Sequence, residues 1–148
     1  MLQRVSRAGV SVDGELVSSI GPGLVALVGV EWGDGPQEVE SVAGKLAGLR
    51  IFSDDAGKMN LSVVDVGGEI LVVSQFTLLG DVAKGRRPSF TAAAPPDQAG
   101  PLVDSLVATL SRIGIPTVSG VFGAAMEVEL VNDGPVTLVL EVSGGRVH

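Results

Sequence analysis

Two short runs govern what this chain can become. Residues 24–30 read LVALVGV and residues 69–78 read EILVVSQFTL. Strands that face water on one side alternate apolar with polar residues, whereas these are nearly continuous in Val, Leu and Ile, the pattern of strands buried on both faces. Such strands need cover, and the intervening segments offer it. Residues 36–49, PQEVESVAGKLAGL, carry Val39, Val42, Leu46 and Leu49 at helical spacing, with Pro36 suited to a first turn and Glu38 and Glu40 suited to a helix N-terminus. Residues 96–113 place Leu102, Leu106, Leu110 and Ile113 on one stripe of a second amphipathic helix, and Pro101 moves its expected start to about residue 100. RVSRAGVSV and ELVSSI, joined by Asp13-Gly14, read as a β-hairpin. RIFSDDAGKMN reads as a short strand and a turn, 79–95 as a long polar loop, and AMEVELV and VTLVLEV as two strands around the turn NDGP. SGGRVH at the end reads as a loose tail over 143–148. The expected whole is one mixed α/β domain over residues 1–148. Its two helices cover one face of a sheet, and the other face is left for more strands or a partner.

Composition narrows the setting. Apolar residues are 45% of the chain and charged residues only 18%, against about 25% charged in an average soluble protein. A domain of 148 residues with that balance has more apolar surface than one core hides, which predicts a homo-oligomer. The longest apolar run falls far short of the ~20 residues needed to cross a bilayer, so no membrane partner is expected. MLQRVSRAG lacks a signal-peptide core, and the absence of cysteine removes disulfides and thiolate metal sites, so a cytoplasmic address is expected. The net charge of −7 argues against broad, non-specific nucleic-acid binding and against a DNA partner. One dense basic cluster, KGRRPSF at 84–90, stands against that background. It is either a solvated loop or a phosphate contact.

The chemistry is bounded by what is missing. The single histidine is His148, and there is no Cys or Tyr. That argues against a Ser-His-Asp or Cys-His arrangement and against a His-rich zinc site. Proton transfer is left to Asp, Glu, Lys, water or the substrate itself. Backbone N–H groups and polar side chains around a developing oxyanion remain as tools for hydrolysis.

Two stretches interrupt the apolar pattern. In VVSQFTLLGD, 72–81, strand alternation puts Gln75 and Thr77 on one face and Ser74 and Phe76 on the other. Thr77 can be read as a residue that merely favours strands, as a hydrogen-bonding lining residue, or as an attacking group; the last lacks a neighbouring base in sequence. In NDGPVT, 132–137, the simple reading is a hairpin turn. Gly134-Pro135, however, removes a backbone donor where a strand should begin, and a rigid Gly-Pro unit aims two carbonyl oxygens with no side chain in the way. SDDAGK lacks the alternating ligands of a calcium loop, and neither GPG nor GKMN makes a nucleotide-binding motif. Trp32 stands in a loop sequence as a packing or interface residue.

SQFTLLGD at 74–81, GRRPSF at 85–90 and NDGPVT at 132–137, together with QRVSRAGVSVDGE, RIFSDDAGKMN and VFGAAMEVELV, resemble the D-aminoacyl-tRNA deacylases over nearly the whole chain and in order. The resemblance implies a three-layer α/β/β fold with barrel-like β layers, no cofactor and no metal. It implies a homodimer that hydrolyses the ester between a D-amino acid and tRNA, and glycine mischarged on tRNA-Ala as well. The family's active-site signature falls on Ser74, Gln75, Phe76 and Thr77. Its cross-subunit Gly-cisPro gate falls on Gly134 and Pro135, whose carbonyls take the space an L side chain needs, so that selection works by rejection. Backbone N–H groups near Phe76 and Thr77 are then oxyanion donors, and the ribose 2′-hydroxyl assists water. Arg4 matches the arginine that holds the gate, and Phe122 and Met126 match positions near the terminal adenosine. Two rivals remain at this point: a non-catalytic tRNA-binding module on the same scaffold, and an editing enzyme for a wrong L-amino acid.

Overall fold

A computed structural model describes residues 1–148. The chain opens with a long strand, β1 (Leu2–Val12), which turns at Asp13-Gly14 into β2 (Glu15–Ile20). Both turn residues have positive φ, 51° and 80°, the geometry that makes Asp-Gly a hairpin signal. After Gly21-Pro22 the chain continues as β3 (Gly23–Val28) along the same edge of β1, with Ala8 opposite Ile20 and Val5 opposite Gly23. The first helix, α1 (Pro36–Gly48), and a small hairpin of β4 (Phe52–Ser53) and β5 (Met59–Leu61) lead to β6 (Glu69–Ser74). Helix α2 (Pro96–Ile113) then leads to β7 (Thr117–Ser119). β3, β6 and β7 pair in parallel, and parallel neighbours need such crossovers. Because the order β3-β6-β7 advances in one direction, right-handed crossovers put both helices on one face.

That face buries the first core. Val39, Ala43 and Leu46 of α1, and Ala99, Val103, Leu106 and Leu110 of α2, meet Leu24, Ala26, Ile70 and Val72 of the sheet. The other faces of the same strands, Val25, Leu71 and Val73, meet Val5, Ala8 and Val10 of β1 and Ile20 of β2. The expectation that both apolar runs are buried on two sides therefore holds. What covers the second face is the curled sheet itself. The Ser18 hydroxyl on β2 donates to the Ser119 carbonyl on β7 at 2.9 Å, so the sheet nearly closes into a barrel.

Three local expectations are corrected. The stripe of α2 runs through Ala99, Val103, Leu106 and Leu110, while Leu102 is half-buried and Ile113 exposed. Repeated steps of four drift off one face of a 3.6-residue helix, and the 3-4 alternation does not. The helix also begins at Pro96 rather than near 100: Pro95 and Pro96 sit at the N-cap and first turn, where no N–H is needed, and Pro101 inside the helix forfeits a single bond. Residues 127–138 form one strand, β8 (Glu127–Leu138), rather than two strands around a turn. β1 serves as a template on both sides of NDGPV, pairing Val5 with Asn132 and Gln3 with Thr137, so residues 133–136 bulge out opposite Arg4 alone.

The C-terminal tail is not loose. It forms a hairpin of β9 (Val142–Ser143) and β10 (Arg146–Val147). The Glu38 carboxylate accepts from the Gly35 N–H and the Gly145 N–H, both at 2.8 Å. Ser41 donates to the Gly145 carbonyl at 2.6 Å. One acid therefore caps α1 and fastens the tail to it. Those N–H donors, Gly35 first and then Gly145, hold the Glu38 carboxyl below its ordinary pKa. Its contribution to docking is complete above the ordinary glutamate range and disappears as pH falls through the lowered value. The Gly145 amide resonance is expected to lose its downfield position over that acid interval, and in Glu38→Gln to show no such titration; an unchanged titration in the variant would contradict this anchor.

Candidate active site

β6 ends at Ser74, beside the end of β3, where the Gln75 N–H donates to the Val28 carbonyl at 2.7 Å. The chain then leaves the ladder. Phe76–Leu79 is a turn of 3-10 helix, so the alternation expected through Thr77 stops at Gln75. Gln75 and Thr77 nevertheless share a side, as expected, with the Gln75 amide Nε2 3.1 Å from Thr77 Oγ1. The turn lies close over Gly29 at the end of β3, where an added Cβ would meet the tip of the Leu79 side chain. Phe76 is 57% exposed and meets Phe90 edge-on, ring centres 5.1 Å apart. Asp81 and Ser89 exchange backbone hydrogen bonds at 2.7 and 2.9 Å, pinning loop 82–88 beside this turn.

On the other side of β6, the Gly120 N–H donates to the Val72 carbonyl at 3.1 Å as the chain leaves β7. The loop that follows carries Phe122 over Gly100 of α2 and brings the Met126 sulfur over Gly120. Ser74, Gln75, Phe76 and Thr77 thus share one end of the sheet with the Phe122–Met126 loop, at the carboxyl ends of parallel strands where α/β sheets place ligands.

This end can hydrogen-bond but carries no acid–base pair among Ser74, Gln75, Phe76 and Thr77. The partner of the Thr77 hydroxyl is an amide, which takes no proton at neutral pH whichever way it is turned. The carboxyls displaced from their ordinary values lie elsewhere. Asp34 is raised by burial, and Glu38, Asp54 and Asp65 are lowered by hydrogen-bond donors. His148 is 2.8 Å from the Ser143 hydroxyl, but both are exposed on the tail and no carboxylate orients the imidazole. A cavity of about 560 Å³ runs between α1, the end of β3 and the tail, and reaches Leu78 and Leu79 but none of residues 74–77.

Gly134 and Pro135 sit apart from this cluster in a single chain. They form the exposed crest of the β8 bulge, and the peptide bond between them is cis. Gly134 has φ +140°, and a Cβ there would stand 2.8 Å from Val136 and 3.1 Å from the Arg4 guanidinium, so only glycine fits. Arg4 reaches across from β1, donating from Nε to the Asp133 carbonyl at 2.9 Å and from Nη1 to the Ile51 carbonyl at 2.7 Å.

A family model described as D-Tyr-tRNA(Tyr) deacylase matches residues 1–141. The chain belongs to this deacylase family. The D-aminoacyl-tRNA deacylase of Thermomicrobium roseum is 62% identical, covering 99% of this chain and 97% of that relative. Its counterpart in Heliobacterium modesticaldum is 59% identical at the same two coverages, 99% and 97%. Among solved structures, the c-Myc DNA Unwinding Element Binding Protein superposes with a TM-score of 0.91 at 43% identity over 97% of each chain. A probable eukaryotic D-amino acid tRNA deacylase, 19% identical, gives a TM-score of 0.78 over 90% of this chain and 93% of that one, which shows the shared fold.

Some supporting residues of this deacylase-family chain escape sequence reasoning. Asn132 accepts from the Val136 N–H at 2.7 Å and donates to Thr137 Oγ1 at 2.9 Å, closing the bulge from within. The local bonding habit of Asn in NDGPVT is the signal that could have marked it. The Ile51 carbonyl that receives Arg4 has no signal in the sequence at all. Arg4→Met strands two carbonyls and is expected to lower stability by about 1–3 kcal/mol. Arg4→Lys should recover part of that loss, as read by urea unfolding; equal stability in Arg4→Met would remove the arginine's structural role.

Proposed function

We propose that this chain works as a homodimer that hydrolyses the ester of D-aminoacyl-tRNA, releasing D-amino acid and tRNA, without metal or cofactor and in the cytoplasm. The observation that carries the reading is the β8 bulge. It presents the carbonyl-bearing Gly134-Pro135 crest to solvent, tied down by Arg4 and Asn132, and it has no substrate cluster of its own chain to serve. A partner subunit supplies that cluster. β8 pairs only with β1 and leaves its other edge free. Apolar Leu138, Val139, Phe76, Val82 and Trp32 are exposed as well, a surface that a second copy would cover. Family membership supports the same substrate class.

In this mechanism water attacks the ester carbonyl carbon, the bond to the ribose 3′ oxygen breaks, and that oxygen leaves with a proton. The Phe76 and Thr77 N–H groups open a helical turn and so have no partner within it; they stabilise the oxyanion. The ribose 2′-hydroxyl assists the water, which suits a cluster with no protein base. Gln75 and Ser74 line the site, and Phe122 and Met126 border the adenosine. The partner's Gly-Pro carbonyls fill the space beside the α-carbon on the side an L side chain would occupy.

Release of amino acid from D-Tyr-tRNA and L-Tyr-tRNA tests the reading. Only the D ester should be cleaved. Preference for the L ester would make this an L-editing enzyme, and cleavage of neither would leave a binding module. Glycyl-tRNA, having no side chain to reject, should be cleaved too; complete refusal would contradict a gate that works by exclusion. Thr77→Val should slow the D reaction only in part, since loss of a lining hydrogen bond costs about tenfold or less. Total loss in a folded protein that still binds substrate would restore Thr77 as nucleophile.

A further inference from the structure

The chain has ten Lys and Arg against 17 Asp and Glu, and Lys84, Arg86 and Arg87 bring three of those ten into four residues. Elsewhere many of the cations are engaged. Arg4 holds the β8 bulge, Arg7 pairs with Glu129 at 3.0 Å, Arg50 binds Asn60 and Arg112 binds Thr109. The three loop cations have no hydrogen-bond or ion-pair partner and are exposed. The nearest acid along the chain is Asp81, whose carboxylate accepts from the Ala83 N–H at 2.8 Å. Clustered, unneutralised positive charge on a protein of net charge −7 repels itself. A charged partner would remove that cost.

The loop is also held in a useful place. The Asp81–Ser89 pair closes its base, and Phe90 anchors it against Phe76 of the active-site turn. A seven-residue excursion, 82–88, extends about 10 Å from that base, the distance of the first few backbone phosphates from a reacting 3′ end. The rest of the surface, net acidic, opposes a polyanion.

We propose that the 82–88 loop grips the phosphodiester backbone of the tRNA acceptor end, with Lys84, Arg86 and Arg87 each available to a phosphate, so that the charge needed to hold RNA is concentrated beside the reacting ester. This inference rests on the deacylase reading for the identity of the RNA, and its contribution is to binding rather than to bond cleavage. The guanidiniums supply paired donors to phosphate oxygens, and their effect is independent of sequence.

The test compares wild type with the double variant Arg86→Gln/Arg87→Gln on two substrates, D-aminoacyl-tRNA and a D-aminoacyl ester of adenosine, which has no phosphodiester. On the tRNA, KM should rise by about tenfold or more with kcat unchanged, and the fall of log(kcat/KM) with log[KCl] should become shallower by about 1.5 to 2. Hydrolysis of the adenosine ester should not change, which shows that the site next to Phe90 is intact. Arg86→Lys/Arg87→Lys should restore most of the tRNA affinity. Equal KM and equal salt slopes for wild type and the Gln variant would overturn the proposal. Binding of uncharged tRNA gives an independent reading: weaker and less salt-sensitive binding by the Gln variant supports the loop contact even if neither ester is cleaved, a result that would defeat the deacylase reading instead. Unaltered binding of uncharged tRNA would count against the loop.

Discussion

The structure turns on one guanidinium. Arg4 lies on β1 opposite the four residues of the β8 bulge, three more than its template supplies, and it ties that bulge to the Ile51 carbonyl on the far side. A bulge this large has lost its ladder hydrogen bonds and needs other partners. Arg4 from outside and Asn132 from within provide them. With both in place, Gly134 and Pro135 stand at a fixed position on an exposed edge, and the chain can offer another molecule a rigid pair of carbonyls. Without them the segment would be a loop whose aim is undefined.

A site with few titratable groups fits this design. Ser74, Gln75, Phe76 and Thr77 donate and accept hydrogen bonds but move no proton readily, and the one histidine is spent on the tail. An ester already activated by a neighbouring hydroxyl asks little more than a polarised carbonyl and exclusion of wrong substrates. Selection by occupied space, moreover, needs only that the excluded volume be held still. On the proposed reading, the firmness of the bulge and the sparseness of titratable groups at residues 74–77 belong together.

Much of the fold was legible because burial writes itself into the sequence. LVALVGV and EILVVS have the pattern of strands covered on both faces, Asp13-Gly14 suits a tight turn, and the structure forms both. The misreadings share a cause. NDGP has the local chemistry of a hairpin turn, yet β1, remote in sequence, offered pairing on both sides and converted the turn to a bulge. SGGRVH looked loose because the acid that fastens it, Glu38, is more than a hundred residues away. The turn that follows Gln75 packs against Gly29, again a contact remote in sequence. The roles assigned to residues 74–77 and 134–135 came from resemblance to a family. Periodicity marked them only as interruptions.

The most direct measurement is a structure of the protein bound to a non-hydrolysable D-aminoacyl amide analogue of adenosine. The account predicts two copies, with the Gly134 and Pro135 carbonyls of the partner subunit beside the α-carbon of the bound amino acid and the Gln75–Thr77 turn of the first subunit against its ester-mimicking carbonyl. Ligand bound with the crest of the bulge remaining in solvent, away from residues 74–77 of either copy, would contradict it.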